Sequence, residues 1–297
     1  MRLKGVITAL VTPFDDNGGV NYGKFEELIE FQINNGANGI VILGTTGESP
    51  TITEEEKEKI ISVGIKAVSG RIPVIVGAGS NDTERAVENC KKAASLGADA
   101  LLVLTPYYNK TNTEGMINHF SFIADNADAP VIIYNVPSRT GCSVDIAALG
   151  VLAQHKNIIG LKEASGNISY AAKAATFIND DFSMFCGNDD IILPMMSLGA
   201  AGAISVASNI IPAEIASMIG AFEAGEHAVA VDTARKYLPF ICALFDEVNP
   251  IPVKEAMNIL GFGVGGVRMP LFRISGAARK KLTDAMRICG LYDGCRG

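Results

Sequence analysis

A chain of 297 residues that is 48% hydrophobic and 19% charged, with no low-complexity tract, is not a disordered polymer and can bury a large core. Its net charge of -7 gives no electrostatic basis for nonspecific binding to nucleic acid or an anionic membrane, so a small anionic substrate would need local positive charge. No run of about 18 uninterrupted apolar residues marks a membrane span, and the six cysteines (Cys90, Cys142, Cys186, Cys242, Cys289, Cys295) are scattered without a C-x-x-C pair, as expected of reduced thiols in a cytoplasmic protein.

The amino terminus, Met1-Arg2-Leu3-Lys4 and the apolar run after it, lacks the small-residue cleavage site of a signal peptide and reads as a first strand. From there short Val/Ile/Leu-rich runs alternate with amphipathic stretches. The runs are Gly5–Pro13, Gly39–Leu43, Pro73–Gly77, Ala100–Thr105, Val131–Asn135, Ile158–Lys162, Phe182–Cys186 and Gly202–Val206, eight in all. Helix signals lie between them: Thr53 and Glu56 form a capping box at the start of Thr53–Val68, and Thr83–Leu96 stops at Gly97. Near-continuous apolar strands in eight strand–helix pairs predict an α/β (β/α)8 TIM barrel over residues 1–225, with an open doubly wound sheet as the alternative. Helical patterns at Pro212–Ala224, Ala228–Phe245, Ile251–Leu260 and Ser275–Ile288 provide one helix to close the barrel and a C-terminal helical appendage, residues 226–297, packed on it.

In such barrels the chemistry sits on loops leaving the carboxyl ends of the strands. The sixth run ends on Lys162, where partial removal from water would favour the free amine that Schiff-base chemistry on a ketone requires. A strand-capping lysine that snorkels to solvent is the plain alternative. The second run ends in Gly44-Thr45-Thr46-Gly47-Glu48-Ser49, whose backbone N–H groups and hydroxyls can hold a carboxylate, or merely cap the next helix. The fourth ends in Thr105-Pro106-Tyr107-Tyr108-Asn109 and the fifth in Tyr134-Asn135-Val136-Pro137-Ser138-Arg139-Thr140-Gly141. Singly, these tyrosines read as packing and the arginine as a surface salt bridge. Together with Lys162 they supply what a 2-oxo acid needs: an amine, a fork of donors for a carboxylate and hydroxyls to move protons.

Gly187-Asn188-Asp189-Asp190 reads as a solvated loop or helix cap rather than a cation site. His119, His155 and His227 stand singly in helical stretches without metal-ligand spacing, so no catalytic metal is expected. Gly261–Gly266 formally contains G-x-G-x-x-G but follows a helix instead of a strand, which argues against dinucleotide binding.

These motifs, with Ala9-Leu10-Val11-Thr12-Pro13-Phe14, Gly160-Leu161-Lys162-Glu163-Ala164 and Asn249-Pro250-Ile251-Pro252-Val253-Lys254, make the chain resemble, nearly end to end, the dihydrodipicolinate synthase branch of the pyruvate-dependent class I aldolases, the N-acetylneuraminate lyase superfamily. Lys162 and the Gly-Thr-Thr-Gly-Glu motif are shared across that superfamily, whereas Arg139 and the paired tyrosines point to the synthase branch. The resemblance implies a lyase of lysine and diaminopimelate synthesis in which Lys162 forms an imine with pyruvate and the enamine attacks L-aspartate 4-semialdehyde, with no cofactor beyond that imine. It further implies that Tyr134 moves protons, that Thr45 links it to Tyr108 of a neighbouring subunit in a homotetramer, that Thr46, Gly187 and the backbone of Ile204 bind substrate, and that Arg139 takes the semialdehyde carboxylate.

A lysine effector site between subunits is implied around Ser49, Pro50, Asn81 and Tyr107. Here Lys57 and Arg85 put positive charge where an ammonium-bearing inhibitor would bind, so inhibition by lysine is expected to be weak or absent. Two other readings keep the barrel: a Schiff-base aldolase for a sugar acid such as N-acetylneuraminate, disfavoured by Arg139 and Tyr108, and a silent 2-oxo-acid-binding homologue, which would need no proton relay of Lys162, Tyr134 and Thr45.

Overall fold

In the computed structural model, which describes residues 3–293, the apolar runs become the parallel strands β1 (Gly5–Ala9), β2 (Gly39–Ile42), β3 (Val74–Gly77), β4 (Ala100–Leu104), β5 (Val131–Asn135), β6 (Ile158–Glu163), β7 (Ser183–Cys186) and β8 (Gly202–Ser205). They pair in chain order and close, β8 beside β1, so the sheet is a barrel and not an open one. The first strand stops at Ala9, four residues short of the sequence run, because the ladder partner of the Val11 N–H is the Asn209 side chain at 3.1 Å instead of a strand.

Each strand is followed by helix: α1 (Tyr22–Asn34), α2 (Glu54–Val68), α3 (Thr83–Ser95), α4 (Thr113–Asn126), α5 (Pro137–Thr140), α6 (Ile146–Leu152), α7 (Ile168–Ala174), α8 (Ile192–Ser197) and α9 (Pro212–Glu223). The Thr53/Glu56 capping box opens α2 as read from sequence, satisfying amide donors that an unassisted helix start leaves bare. Strand side chains alternate between two apolar cores. On β5, Val131 and Ile133 join the shell between strands and helices, while Ile132 and Tyr134 join the barrel lumen with Ile7, Val41, Phe185 and Ile204.

Beyond α9 the chain forms α10 (His227–Ala243), α11 (Ile251–Ile259) and α12 (Gly276–Ile288), with α10 packed on α9 and α12. The 225/226 boundary drawn from sequence falls in the turn between α9 and α10. Cys90, Cys142, Cys186, Cys242 and Cys289 are free thiols, while Cys295, like Met1 and Arg2, lies outside the described residues. No helix among the described residues is long and apolar enough to cross a membrane. Gly261–Gly266 is a loop after α11 that feeds no helix start, and its Val264 carbonyl accepts from Phe14 N at 3.0 Å.

The histidines differ in part from the sequence reading. His119 is on α4 and His227 opens α10, but His155 sits in the turn that lifts the chain from α6 into β6, with Nε2 3.1 Å from Asp125 Oδ1. His119 is buried, its Nδ1 2.9 Å from Thr83 Oγ1 and its Nε2 without a partner. Burial pushes its pKa down from 6.5 to about 4. Between those values the unfolded chain binds a proton that the folded chain refuses, so stability is complete above the unfolded pKa and falls as pH drops through the window. From about pH 7 to about pH 5 the wild-type protein should lose roughly 2 kcal/mol more than a His119→Phe variant. Urea unfolding of both proteins at the two pH values checks this, and equal pH slopes would contradict it.

Candidate active site

Neighbouring strands of a parallel ladder face paired residues to the same side. Between β5 and β6 the register slips: Val131 pairs with Ile158, but Ile132 pairs with Gly160, leaving Ile159 as an extra residue. Had the ladder run without the slip, Leu161 would lie opposite Tyr134 and Lys162 would point into the outer shell. With it, Lys162 pairs with Tyr134 on the lumen side and Leu161 packs in the shell. Gly160 permits the close fit, since a Cβ there would stand 2.5 Å from Ser183 O. The bulge therefore aims the lysine.

Lys162 is 5% exposed, and its Nζ lies 4.4 Å from the centroid of the Tyr134 ring. It does not snorkel. Two carboxyls lie near this strand end. Glu163 accepts from Asn135 Nδ2 and Ser165 N, both at 2.7 Å, and burial raises its pKa against those bonds. Asp189 corrects the expectation of a solvated loop. Only Asp190 is exposed, whereas Asp189 is buried and its Oδ2 accepts from Val206 N and Ala207 N at 2.9 Å each. The β7–β8 ladder registers only at Cys186 with Ala203, and the Asp189 carboxylate extends the seam toward the mouth beside Ile204. Burial pushes Asp189 upward in pKa, while hydrogen bonds from Ser205 and the two amides and the charge of Lys162 pull it back.

The loop after β2 is the most constrained part of the mouth. Leu43 (φ 55°) and Glu48 (φ 57°) both adopt the left-handed region that costs a non-glycine residue energy, so surrounding contacts must hold them there. Gly47 O accepts from Thr12 Oγ1 at 2.7 Å. The Glu48 carboxylate accepts from Lys254 Nζ at 2.9 Å and from Arg268 N at 2.8 Å, and Lys254 also donates to Thr12 O at 2.9 Å. The Lys254 ammonium and the Arg268 guanidinium lie 4.0 and 4.4 Å from the centre of the Phe14 ring. Burial lowers the Lys254 pKa to about 8 despite the favourable charge of Glu48. In the same loop, Thr46 Oγ1 accepts from Asn249 Nδ2 at 2.9 Å, and Asn249 O accepts from Arg139 Nη2 at 3.2 Å.

A cleft of about 500 Å³ opens over these loops and is lined by Thr45, Tyr107, Tyr134 and Arg139, with Ser49, Pro50, Lys57 and Arg85 on one side. Lys162 reaches the set through Tyr134, and Ile204 lies with Tyr134 in the lumen core. Gly187 is close-packed at the β7 end, where a Cβ would meet that of Ala164 at 2.6 Å. Asn81 ties the rim by accepting from Asn109 Nδ2 at 2.8 Å. Tyr108 does not join the cleft of its own chain: it is 92% exposed, with φ at 68°. The positive charges expected to repel an ammonium group are partly answered, since Lys57 pairs with Glu54 at 2.8 Å within the same cleft, while Arg85 stands 3.9 Å from Glu88. Among the described residues no three His, Cys, Asp or Glu side chains cluster as metal ligands.

Sequence reasoning missed the parts played by Glu48, Asp189, Asn249 and Lys254. The Asn249–Lys254 motif was conspicuous, but nothing in it says that a segment about 200 residues away from the Thr-Thr loop touches it.

The geometry has close parallels. A model of the dihydrodipicolinate synthetase family matches residues 2–288. The 4-hydroxy-tetrahydrodipicolinate synthase of Lachnoclostridium phytofermentans is 48% identical over 288 residues, spanning 97% of this chain and 98% of that protein. Among solved structures, the chloride-inhibited dihydrodipicolinate synthase from Acinetobacter baumannii complexed with pyruvate matches with a TM-score of 0.95 at 37% identity, covering 98% of this chain and 100% of the other. The dihydrodipicolinate synthase from Cyanidioschyzon merolae with lysine bound matches with a TM-score of 0.94 at 42% identity, covering 98% and 99%.

The Glu48–Lys254 pair makes a stability prediction. Removing one partner leaves a buried charge unanswered, so Glu48→Leu or Lys254→Met should each cost about 3–5 kcal/mol, and the double substitution should recover much of the loss. Chemical denaturation of the three variants decides it; additive losses would contradict the pairing.

Proposed function

The chain belongs to the dihydrodipicolinate synthetase family, and on that premise we propose that it condenses pyruvate with L-aspartate 4-semialdehyde through an imine on Lys162. The observation that carries the reading is a buried lysine turned into the lumen over the ring of Tyr134, which itself lines a cleft with Thr45 and Arg139. The amine adds to the pyruvate ketone and water leaves. The iminium carbon then withdraws electrons from the methyl group, which loses a proton to give an enamine. The enamine carbon bonds to the semialdehyde carbon, whose oxygen takes up a proton. The substrate amino group next attacks the imine carbon, closing the ring and expelling the lysine amine.

Tyr134, beside the amine, is the group we assign to these proton transfers, with Thr45 as its link outward. Thr46, Gly187 and the Ile204 backbone serve the pyruvate carboxylate, and Arg139, at the rim and held by Asn249 O, suits the semialdehyde carboxylate through its fork of donors. The exposure of Tyr108, with its backbone fixed in a left-handed conformation, supports its insertion into a neighbouring subunit's site in a homotetramer. A monomer with full turnover would contradict that part.

Steady-state assays with both substrates test the reading. Ring product should form, and Tyr134→Phe should lower kcat by about 10²–10⁴-fold with a smaller change in pyruvate KM, as for loss of a general acid–base. Undiminished kcat would remove Tyr134 from the relay, and cleavage of N-acetylneuraminate without ring formation would favour the sugar-acid reading. In the same assay, half-inhibition by submillimolar lysine would contradict the weak response expected from Lys57 and Arg85.

A further inference from the structure

Asn249 lies outside the barrel strands, in the segment between α10 and α11, yet it touches both Thr46 and Arg139, the residues assigned above to the two carboxylates. Its side chain reaches Thr46 and its backbone carbonyl reaches Arg139. It is 5% exposed, and its Oδ1 is buried without a partner. A buried amide oxygen left bare is unfavourable, but turning the amide over would only put the Nδ2 donor in its place without an acceptor. Turned over, the amide would accept the Thr46 hydroxyl proton on Oδ1.

That turn would consume the one proton Thr46 can donate. In the observed arrangement Thr46 Oγ1 accepts from Nδ2, and no protein group among the described residues accepts its O–H. The Thr46 proton is therefore left free for a substrate acceptor. We propose that Asn249 is a positioning residue that directs the Thr46 O–H toward the pyruvate carboxylate while its backbone carbonyl holds the Arg139 guanidinium, so that one residue of the C-terminal region sets both carboxylate sites. The inference rests on the pyruvate reading given above.

Asn249→Asp keeps the shape but carries only acceptors, and so takes up the Thr46 hydroxyl proton. Asn249→Ala removes the donor. Steady-state kinetics of both variants, alone and combined with Thr46→Val, form the test. Asn249→Ala should raise pyruvate KM about tenfold, the worth of one well-placed hydrogen bond, and Asn249→Asp should raise it further. The semialdehyde KM should move less, because the carbonyl facing Arg139 remains. With Val at position 46, adding Asn249→Ala should leave pyruvate KM unchanged, and the Asp penalty should shrink.

Loss of kcat alone with pyruvate KM unmoved, or penalties that add fully to that of Thr46→Val, would overturn the proposal while the wild-type reaction stands. Should Asn249→Ala fail to fold, the isosteric Asn249→Asp series decides by the same criteria. A wild-type enzyme that gives no turnover with pyruvate would instead overturn the functional reading, and this inference with it.

Discussion

Lys162 faces the barrel lumen because β6 carries one residue more than β5 across their shared ladder. In a parallel sheet a slip of one residue exchanges the faces of everything after it. The amine, the Tyr134 ring beneath it and the shell packing of Leu161 all follow from the extra Ile159 and from the space that Gly160 leaves against Ser183. The same backbone irregularity would be a defect in a structural strand. Here it delivers the Lys162 side chain to the lumen beside the Tyr134 ring.

Around that fixed point the mouth is assembled from distant segments. The Thr-Thr loop holds two non-glycine residues in left-handed conformations and is clamped by Lys254 and Arg268, from α11 and the loop beyond it, through the buried Glu48 carboxylate. Asp189 performs a comparable task at the β7–β8 seam with a side chain in place of ladder bonds. The C-terminal helices are thus more than a cover. They hold the loop on which Thr45 and Thr46 stand, and through Asn249 they reach Arg139.

Much of the fold was legible in the sequence because eight apolar runs separated by capped helices leave few other solutions. The strand-end position of Lys162, the tyrosines and Arg139 followed from that architecture. The bulge did not, because Ile158-Ile159-Gly160 is apolar throughout and an unbroken apolar run hides which residue faces inward. Asp189 looks solvated in the sequence for the opposite reason: two adjacent aspartates look alike until one is buried under the backbone amides just beyond β8. Contacts such as Asn249 with Thr46 leave no local periodicity at all. Tyr108 was read at the mouth, but its side chain turns away from its own cleft, which no single-chain pattern encodes.

Lys162 is the covalent centre on which the proposed reaction depends. Its most direct test is the intact mass of the protein after incubation with pyruvate and borohydride, followed by peptide mapping. One reduced pyruvate adduct per chain, located on Lys162 and lost in Lys162→Ala, is the predicted result. No adduct, or an adduct on a different lysine with Lys162 left unmodified, would contradict it.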